Sequence, residues 1–198
     1  TYVATANAVK YCGANINFID IEKETLGVCP VKLEKYLNKI CVFKKKKTIN
    51  KFTGKELRAL IVVHLYGFPA KIFQIKKICK KFNLVLIEDA AEALGSFFHN
   101  KHLGTIGDFG ILSFNGNKII TSGGGGAILC KKKNQSDFFK HISTHAKVRK
   151  KNDHLHDKIG FNYRMINLSA AVGCAQLEKI KKIINSKKYN YKFYKKIT

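Results

Sequence analysis

The stretch ALIVVHLYGFPAKIFQIKKICKKFNLVLIEDAAEALGS, residues 59–96, decides the fold class. Its two ends, 59–67 and 84–96, each begin with a continuous apolar run of strand length, and each run stops abruptly at a turn or at acidic residues. Between them, four apolar residues recur at helical spacing: Ile72, Ile75, Cys79 and Phe82. Two wholly apolar strands joined by an amphipathic helix predict a βαβ unit in a parallel sheet that is covered on both faces.

The rest of the chain adds elements to this unit without any repeat or linker, so we predict one α/β domain, or most of one. A proline-started stripe of Leu33, Tyr36, Leu37 and Ile40 predicts a helix within 27–40. The other predicted elements are a strand at 14–20, a Lys-rich surface loop at 41–58, a hairpin around Asn100 at 97–104, strands at 109–114 and 127–130, and a long helix at 167–184 capped by Asn167 or Ser169.

The chain is strongly basic, which raises the question of a polyanionic partner. Its 198 residues have a formal net charge of +24. Only three of the 37 basic residues are arginine, the residue that nucleic-acid sites usually recruit. Because the lysines are spread over the whole chain, we expect solvated surface rather than a nucleic-acid site. The runs at 43–51 and 187–196 are the candidate patches if the chain is instead a non-catalytic polyanion-binding protein.

Cysteine spacing and hydropathy exclude several other classes. None of the six cysteines stands in a CxxC motif, so neither a zinc ribbon nor a redox pair is expected, and we predict buried free thiols in a reducing cytoplasm. No apolar run reaches the ~20 residues of a membrane span. The sequence has no signal peptide and no initiator methionine, and we interpret it as a fragment of a longer protein.

Two residues suggest a specific chemistry. Asp89 comes at the carboxyl end of the second apolar run, where ligands gather in open α/β sheets, and Lys118 lies in a short turn within SFNGNKIITSGGGGAIL, residues 113–129. Alone, Asp89 is a common turn residue and Lys118 a common surface residue. Together they match pyridoxal phosphate, which needs a lysine for its Schiff base and a carboxylate that keeps its pyridine nitrogen protonated. The glycines beside Lys118 leave room for a cofactor.

Longer motifs make the interpretation more specific. The segments VVHLYGFPA (62–70), IEDAAEALGS (87–96), GDFGILSFNGNKIITSGGGGAI (107–128) and FNYRMINLSAAVGCAQLE (161–178) resemble the DegT/DnrJ/EryC1/StrS family, as does the opening of the chain. The resemblance covers residues 1 to about 184. It implies a pyridoxal-phosphate-dependent aminotransferase acting on nucleotide-linked keto sugars, closest to the subgroup that makes legionaminic acid or bacillosamine precursors.

The same resemblance implies a fold and its domain limits. The fold is the large domain of the aspartate-aminotransferase-like (type I) transferases, with a mostly parallel central sheet flanked by helices. Residues 1–184 would form this partial cofactor-binding domain, and 185–198 would begin the connection to a small C-terminal domain that is absent. The family's N-terminal Gly-Thr-Ala phosphate loop is also absent, and Ile166 replaces the usual proline after Arg-Met.

Site residues are assigned by the resemblance, one position at a time. Lys118 matches the Schiff-base lysine and Asp89 the partner of the pyridine nitrogen, and these two are the predicted catalytic residues. The other predicted cofactor contacts are Tyr2 stacking on the ring, Glu92 near the phenolic oxygen, and Ser113 and Asn162 at the phosphate. Tyr2 has the alternative of a core position.

The remaining expectations concern the substrates and the assembly. Asn162 matches a residue that reaches the neighbouring subunit's phosphate, so a homodimer with shared sites is implied. Arg164 and His64 are the candidate substrate contacts, with a surface ion pair and a structural role as their alternatives. Glutamate is the expected amino donor, no metal is expected, and the location is expected to be cytoplasmic. Relatives that dehydrate sugars replace the lysine with histidine, so Lys118 argues against that activity.

Overall fold

The computed structural model describes residues 2–148 and 155–197. Its helices are α1 (Val3–Tyr11), α2 (Pro30–Ile40), α3 (Ile72–Lys81), α4 (Lys133–Ser143), α5 (Asn167–Glu178) and α6 (Ile180–Tyr194). Its strands are β1 (Cys41–Lys44), β2 (Lys47–Asn50), β3 (Glu56–Leu57), β4 (Ala59–Val63), β5 (Val85–Asp89), β6 (Phe97–Phe98), β7 (Lys101–His102), β8 (Phe109–Ser113) and β9 (Gly126–Cys130).

The predicted βαβ unit is confirmed. Strands β4 and β5, which precede and follow α3 in the chain, pair in parallel. Strand β5 also pairs in parallel with β8, and the four-stranded sheet has the order β4-β5-β8-β9. The face of α3 that carries Ile72, Ile75 and Cys79 is buried. Each fully buried isoleucine stabilises the fold by about 1.5–3 kcal/mol. The register pairs Val63 with Asp89 and Asp89 with Ile111, so the carboxyl ends of three strands lie side by side.

Four other predicted elements are confirmed with small changes, and two of them are the strands predicted at 109–114 and 127–130, which form β8 and β9. Helix α2 begins at Pro30 and buries Leu33, Leu37 and Ile40, as its apolar stripe predicts. The hairpin at 97–104 forms from β6 and β7, and both His99 and Asn100 adopt positive φ at its turn.

The prediction of a surface loop at 41–58 is wrong. Strands β1, β2 and β3 form a three-stranded antiparallel sheet. The turn between β1 and β2 is made by Lys45 and Lys46, with φ of 46° and 64°, the left-handed conformation that a two-residue hairpin needs. Thr48 is buried, and its hydroxyl donates a hydrogen bond to the carbonyl of Phe82. The lysine run is therefore the solvated tip of a hairpin rather than an unstructured loop.

The predicted strand at 14–20 is also absent. In the described part of the chain, residues 15–19 make no backbone hydrogen bond, and only a single bridge between Ile21 and Val28 follows them. A strand requires a hydrogen-bonding neighbour. Among the described residues, β4 pairs only with β5, so it forms one edge of the sheet. A cavity of about 950 Å³ is lined by residues of α1, of the segment 14–19 and of β4.

The long helix predicted at 167–184 is divided in two. Helix α5 ends at Glu178, and α6 begins at Ile180, with Lys179 between them at φ −94° and ψ 5°. The N-cap residue is Ile166, and no side chain caps the helix, so neither Asn167 nor Ser169 has the predicted role. Helix α6 continues across the domain boundary expected at residue 184, which stays a prediction.

The chain divides into two compact units. One contains the chain up to Ser113 together with Ala127–Leu129, and the other contains Phe114–Gly126 and the chain from Cys130 onward. None of the helices in the described residues has the combined length and apolar character that crossing a membrane requires.

All six cysteines are free thiols, but the expectation that they are buried holds only for Cys79. Burial raises the pKa of that thiol to about 12, which keeps it protonated and unreactive. Cys12 and Cys174 are exposed. Across residues 2–148 and 155–197, no three His, Cys, Asp or Glu side chains are grouped to hold a metal ion.

Candidate active site

Asp89 occupies the carboxyl end of β5 and is held by two hydrogen bonds. Its Oδ2 accepts a hydrogen bond from the Thr5 hydroxyl at 2.6 Å, and its Oδ1 accepts one from the Ala91 amide at 3.2 Å. The second bond is the turn role that a lone aspartate suggests. Each carboxylate oxygen has two lone pairs, so both can still accept a hydrogen bond from a ligand. The two hydrogen bonds thus orient the Asp89 side chain and leave it able to accept further hydrogen bonds.

Thr5 joins α1 to Asp89 through this hydrogen bond. Thr5 lies in the first turn of α1, and Tyr2 is the N-cap residue of that helix. The Tyr2 side chain is 78% exposed, so the alternative of a core tyrosine is wrong. Thr5 could not be predicted as a site residue, because nothing in the local sequence pattern relates it to a carboxylate 84 residues away.

Glu92 lies one turn beyond Asp89 and contacts the loop after β4. Its Oε2 accepts a hydrogen bond from the Tyr66 amide at 2.8 Å, and Tyr66 has a φ of 52°. The next residue, Gly67, has a φ of 78°, and a Cβ there would lie 2.9 Å from the Glu92 carbonyl. The exposed carboxylate of Glu92 is therefore held by a loop whose conformation requires glycine at position 67.

Ser113 ends β8, the strand beside β5. Because Asp89 pairs with Ile111, Ser113 lies two residues further along the neighbouring strand and on the same face as Asp89. Its side chain is half-buried. A hydroxyl and a carboxylate thus share one face at the carboxyl ends of two adjacent parallel strands.

His64 follows β4 and is fully buried with Glu88, the residue before Asp89. Its Nε2 lies 2.9 Å from Glu88 Oε2, and its Nδ1 accepts a hydrogen bond from the Ala70 amide at 3.2 Å. With no exposed surface and both ring nitrogens engaged, His64 is not placed to contact a substrate. The geometry argues against the predicted substrate contact and favours the structural alternative.

The other predicted residues lie in the second unit. Lys118 is half-buried in a turn that its own amide closes on the Asn115 carbonyl at 3.0 Å. The loop is closed at its base by Phe114, whose amide donates to the Gly125 carbonyl at 3.0 Å and whose carbonyl accepts from the Ser122 amide at 3.1 Å. Lys118 therefore lies in an ordered loop, as the SFNGNK motif suggests.

The glycine run has two separate causes. Gly123 and Gly125 have φ of 80° and 84°, which other residues rarely adopt. A Cβ at Gly125 would also lie 2.7 Å from Met165 Cε, whereas one at Gly124 would meet nothing within 4 Å. Backbone conformation thus explains part of the run, and open space beside Gly124 is compatible with a ligand.

Asn162 and Arg164 lie in a segment that is anchored by its backbone. The amides of Tyr163 and Arg164 both donate to the Ser143 carbonyl, at 3.0 and 3.1 Å, and Asn162 forms a bridge with Thr144. The side chains of Asn162 and Arg164 are exposed, and Arg164 has no ion-pair partner in the described residues. Within those residues, the surface ion pair that was the alternative for Arg164 is not formed.

A family model described as the DegT/DnrJ/EryC1/StrS aminotransferase family matches residues 1–197. The chain belongs to this family. The DegT/DnrJ/EryC1/StrS membership confirms the resemblance found in the sequence motifs, and the predicted fold class agrees with it.

Individual relatives of the DegT/DnrJ/EryC1/StrS family agree with this assignment. The chain is 39% identical over 196 residues to GDP-perosamine synthase of Escherichia coli O157:H7, covering 99% of this chain and 49% of that protein. It is 32% identical over 199 residues to UDP-4-amino-4,6-dideoxy-N-acetyl-beta-L-altrosamine transaminase of Campylobacter jejuni, covering 99% of this chain and 49% of that protein. The chain thus spans about half the length of these curated relatives.

Solved structures of DegT/DnrJ/EryC1/StrS relatives share the fold. The aminotransferase PseC of Helicobacter pylori, involved in the biosynthesis of pseudoaminic acid, matches with a TM-score of 0.78 and 26% identity. The match covers 91% of this chain and 44% of PseC.

The family implies pyridoxal phosphate as cofactor, and the described residues fit it. The first unit places an oriented carboxylate (Asp89), a hydroxyl (Ser113) and an exposed aromatic side chain (Tyr2) around the carboxyl ends of its strands. The second unit places Lys118 in an ordered turn beside glycines with open space. Each unit, taken by itself, presents part of the set of residue types that a phosphorylated pyridine aldehyde requires.

Proposed function

We propose that the protein transfers an amino group from an amino acid, with glutamate as the expected donor, to a ketone of a nucleotide-linked sugar. The observation that best supports this proposal is the Asp89 carboxylate, which Thr5 and Ala91 orient at the end of β5 while leaving it able to accept another hydrogen bond. The family match and the names of the relatives support the substrate class.

In this proposal each residue has a defined task. Bound pyridoxal phosphate supplies the electron sink that makes the Cα–H bond of the amino donor acidic. Asp89 accepts a hydrogen bond from the pyridine nitrogen and keeps it protonated. The Lys118 amine would hold the cofactor covalently and, once the amine of the donor has replaced it there, the freed Lys118 amine would move the proton at the donor Cα as general base and acid. Tyr2 would stack on the ring, Ser113 would donate its hydroxyl to the phosphate, and Glu92 would lie near the phenolic oxygen.

Three finer points belong to the same proposal. Asn162 completes the phosphate site of a second copy of the chain, so the protein is a homodimer with shared sites. Arg164 contacts an anionic group of the substrate, which its exposure permits. The location is cytoplasmic and the product enters polysaccharide biosynthesis, which the six free thiols and the sugar-modifying relatives support.

Covalent labelling tests the central assignment. Borohydride reduction of the full-length protein with pyridoxal phosphate should leave the pyridoxyl group on Lys118, as located by peptide mapping. Lys118→Arg should abolish the label, while Lys51→Arg, at an exposed lysine over the Phe52 ring, should leave it unchanged. A label on another lysine, or no label in the unaltered protein, would contradict the assignment.

A further inference from the structure

The buried pair of His64 and Glu88 has no task in the proposed reaction, yet it lies directly beside Asp89. Both side chains have 0% exposure. An ionisable pair is seldom buried so completely unless each group is fully hydrogen-bonded. The contacts of both side chains lie within the first unit.

The Glu88 carboxylate accepts four hydrogen bonds. Oε2 accepts from His64 Nε2 and from the Gly104 amide, each at 2.9 Å, and Oε1 accepts from the amides of Ile106, at 2.7 Å, and Gly107. Burial by itself raises the pKa of the Glu88 carboxyl, but the bonds from His64 and from the Gly107 and Gly104 amides outweigh it and hold that pKa below its usual value. The 104–107 turn is thus wrapped around an internal anion, in the way backbone amides form anion-binding nests.

The two ring nitrogens of His64 have different roles. Because Nδ1 accepts a hydrogen bond from the Ala70 amide, the ring proton is on Nε2, where it is donated to Glu88. This is the neutral tautomer, and a second proton on Nδ1 would break the bond to Ala70. The ring therefore closes the loop 65–70, and in that loop the Tyr66 amide donates to Glu92.

The same two residues frame Asp89 through the backbone. The His64 amide donates to the Asp89 carbonyl at 3.0 Å, and Glu88 is the residue before Asp89 on β5. The pair thus joins three segments next to Asp89: the end of β4, the 65–70 loop that contacts Glu92, and the 104–107 turn. The ring and the carboxylate are therefore joined by hydrogen bonds to the backbone segments around Asp89.

We propose that His64 and Glu88 are positioning residues for the cofactor, and that the Nε2–H···carboxylate bond between them fixes Asp89 and Glu92 where the pyridine ring is bound. This inference rests on the proposed function and deepens it. The pair touches neither cofactor nor substrate and acts through the two carboxylates.

Two substitutions of His64 separate its two hydrogen bonds. The amide of asparagine reaches about as far as ring Nδ1, so His64→Asn keeps an acceptor for the Ala70 amide and removes the donor to Glu88. Glutamine reaches about as far as Nε2, so His64→Gln keeps the donor and removes the acceptor. Thr48→Val is the matched control, because it removes a buried hydrogen bond, to the Phe82 carbonyl, beyond the opposite end of β5.

The first readout is the dissociation constant of pyridoxal phosphate, measured by equilibrium dialysis of the full-length protein. His64→Asn should weaken binding by about ten-fold or more, because a buried hydrogen bond to a charged group is lost. The loss of affinity in His64→Gln should be several-fold smaller than in His64→Asn. Thr48→Val should leave the dissociation constant unchanged. Equal affinity of His64→Asn and the unaltered protein, or an equal loss in Thr48→Val, would overturn the proposal.

The second readout is amide hydrogen exchange without cofactor. In His64→Asn the amides of Gly104, Ile106 and Gly107 should exchange faster than in the unaltered protein, and Glu88→Gln should have the same effect if His64→Asn does not fold. Unchanged protection would overturn the bracing role. If the unaltered protein does not bind pyridoxal phosphate through Lys118, the proposed function is rejected instead. The exchange measurement needs no cofactor, so it tests the bracing role separately.

Discussion

At the scale of single residues, the position of Asp89 followed from the sequence, but its environment did not. A wholly apolar strand that stops at an acidic residue predicts a carboxylate at the sheet's carboxyl edge, and Asp89 lies there. The sequence gives no sign that the Thr5 hydroxyl orients this carboxylate, because the two residues are distant in the chain. The functional roles of the site residues stay predictions.

Asp89 allows a direct test of the electron-sink role. Asp89→Ala should lower the single-turnover rate of amino transfer by orders of magnitude, since the pyridine nitrogen loses the group that keeps it protonated. Asp89→Glu keeps the charge but misplaces it, and should also be impaired. Asp20→Ala is the control, because Asp20 forms only an exposed ion pair with Lys32. Near-normal turnover of Asp89→Ala would reduce Asp89 to a turn residue.

Glu22 should make the free energy of unfolding depend on pH in the acid range. The hydrogen bond from the Thr25 hydroxyl is the main cause that lowers the pKa of its carboxyl from 4.5 to about 2, with further bonds from the Thr25 and Glu24 amides and from Lys71. A pKa lowered by folding stabilises the folded state above the unfolded value, and this stabilisation is lost as pH falls. Between about pH 4.5 and 2, Glu22→Gln should therefore show a flatter loss of unfolding free energy than the unaltered chain. Parallel curves in denaturant titrations would contradict this.

At the scale of elements, the sequence predicted the continuously apolar strands and the short hairpin at 97–104, and it missed the antiparallel sheet formed by β1, β2 and β3. The run that became β4 and the run that became β5 as far as Ile87 are continuously apolar, so no register was needed to recognise them. The hairpin of β1 and β2 was missed because Lys45 and Lys46 replace the usual Asn-Gly turn signal and suggest a loop. The predicted strand at 14–20 failed because strand formation depends on a neighbour, which alternation alone cannot supply.

The unusual lysine turn gives a prediction for this hairpin. Lys45→Asn with Lys46→Gly should raise the unfolding free energy by about 1 kcal/mol, because both residues then suit the left-handed conformation. Lys45→Gln with Lys46→Gln removes the same two charges without relieving the backbone, and it controls for the loss of charge repulsion. Equal stabilisation of both double variants would show that charge, rather than conformation, limits the hairpin.

At the scale of the whole molecule, the proposal of shared sites rests on the exposed Asn162 and Arg164 side chains. A two-fold interface repeats each contact, so one chain's Asn162 would serve its partner's phosphate and the reverse. Mixing inactive Lys118→Ala with a defective Asn162/Arg164 double variant of the full-length protein should restore activity after subunit exchange. The hybrid then has one site with both lesions and one site with neither.

The alternative is that each site is built from one chain, with Asn162 and Arg164 as ordinary polar residues before a helix. Every site of the hybrid would then keep a lesion, and activity would not return. Native mass spectrometry should accompany the assay to establish that heterodimers form. Heterodimers without activity would reject the shared-site model.

The open edge of β4 has a consequence for handling this chain in the laboratory. Within residues 2–148 and 155–197, the strand Ala59–Val63 has a hydrogen-bonding partner on one side only, and a cavity of about 950 Å³ adjoins it. Such an edge is a template on which a second polypeptide can add a strand. We expect the chain expressed by itself to aggregate through β4 as its concentration rises, so that solubility tags and dilute refolding decide whether its chemistry can be measured at all.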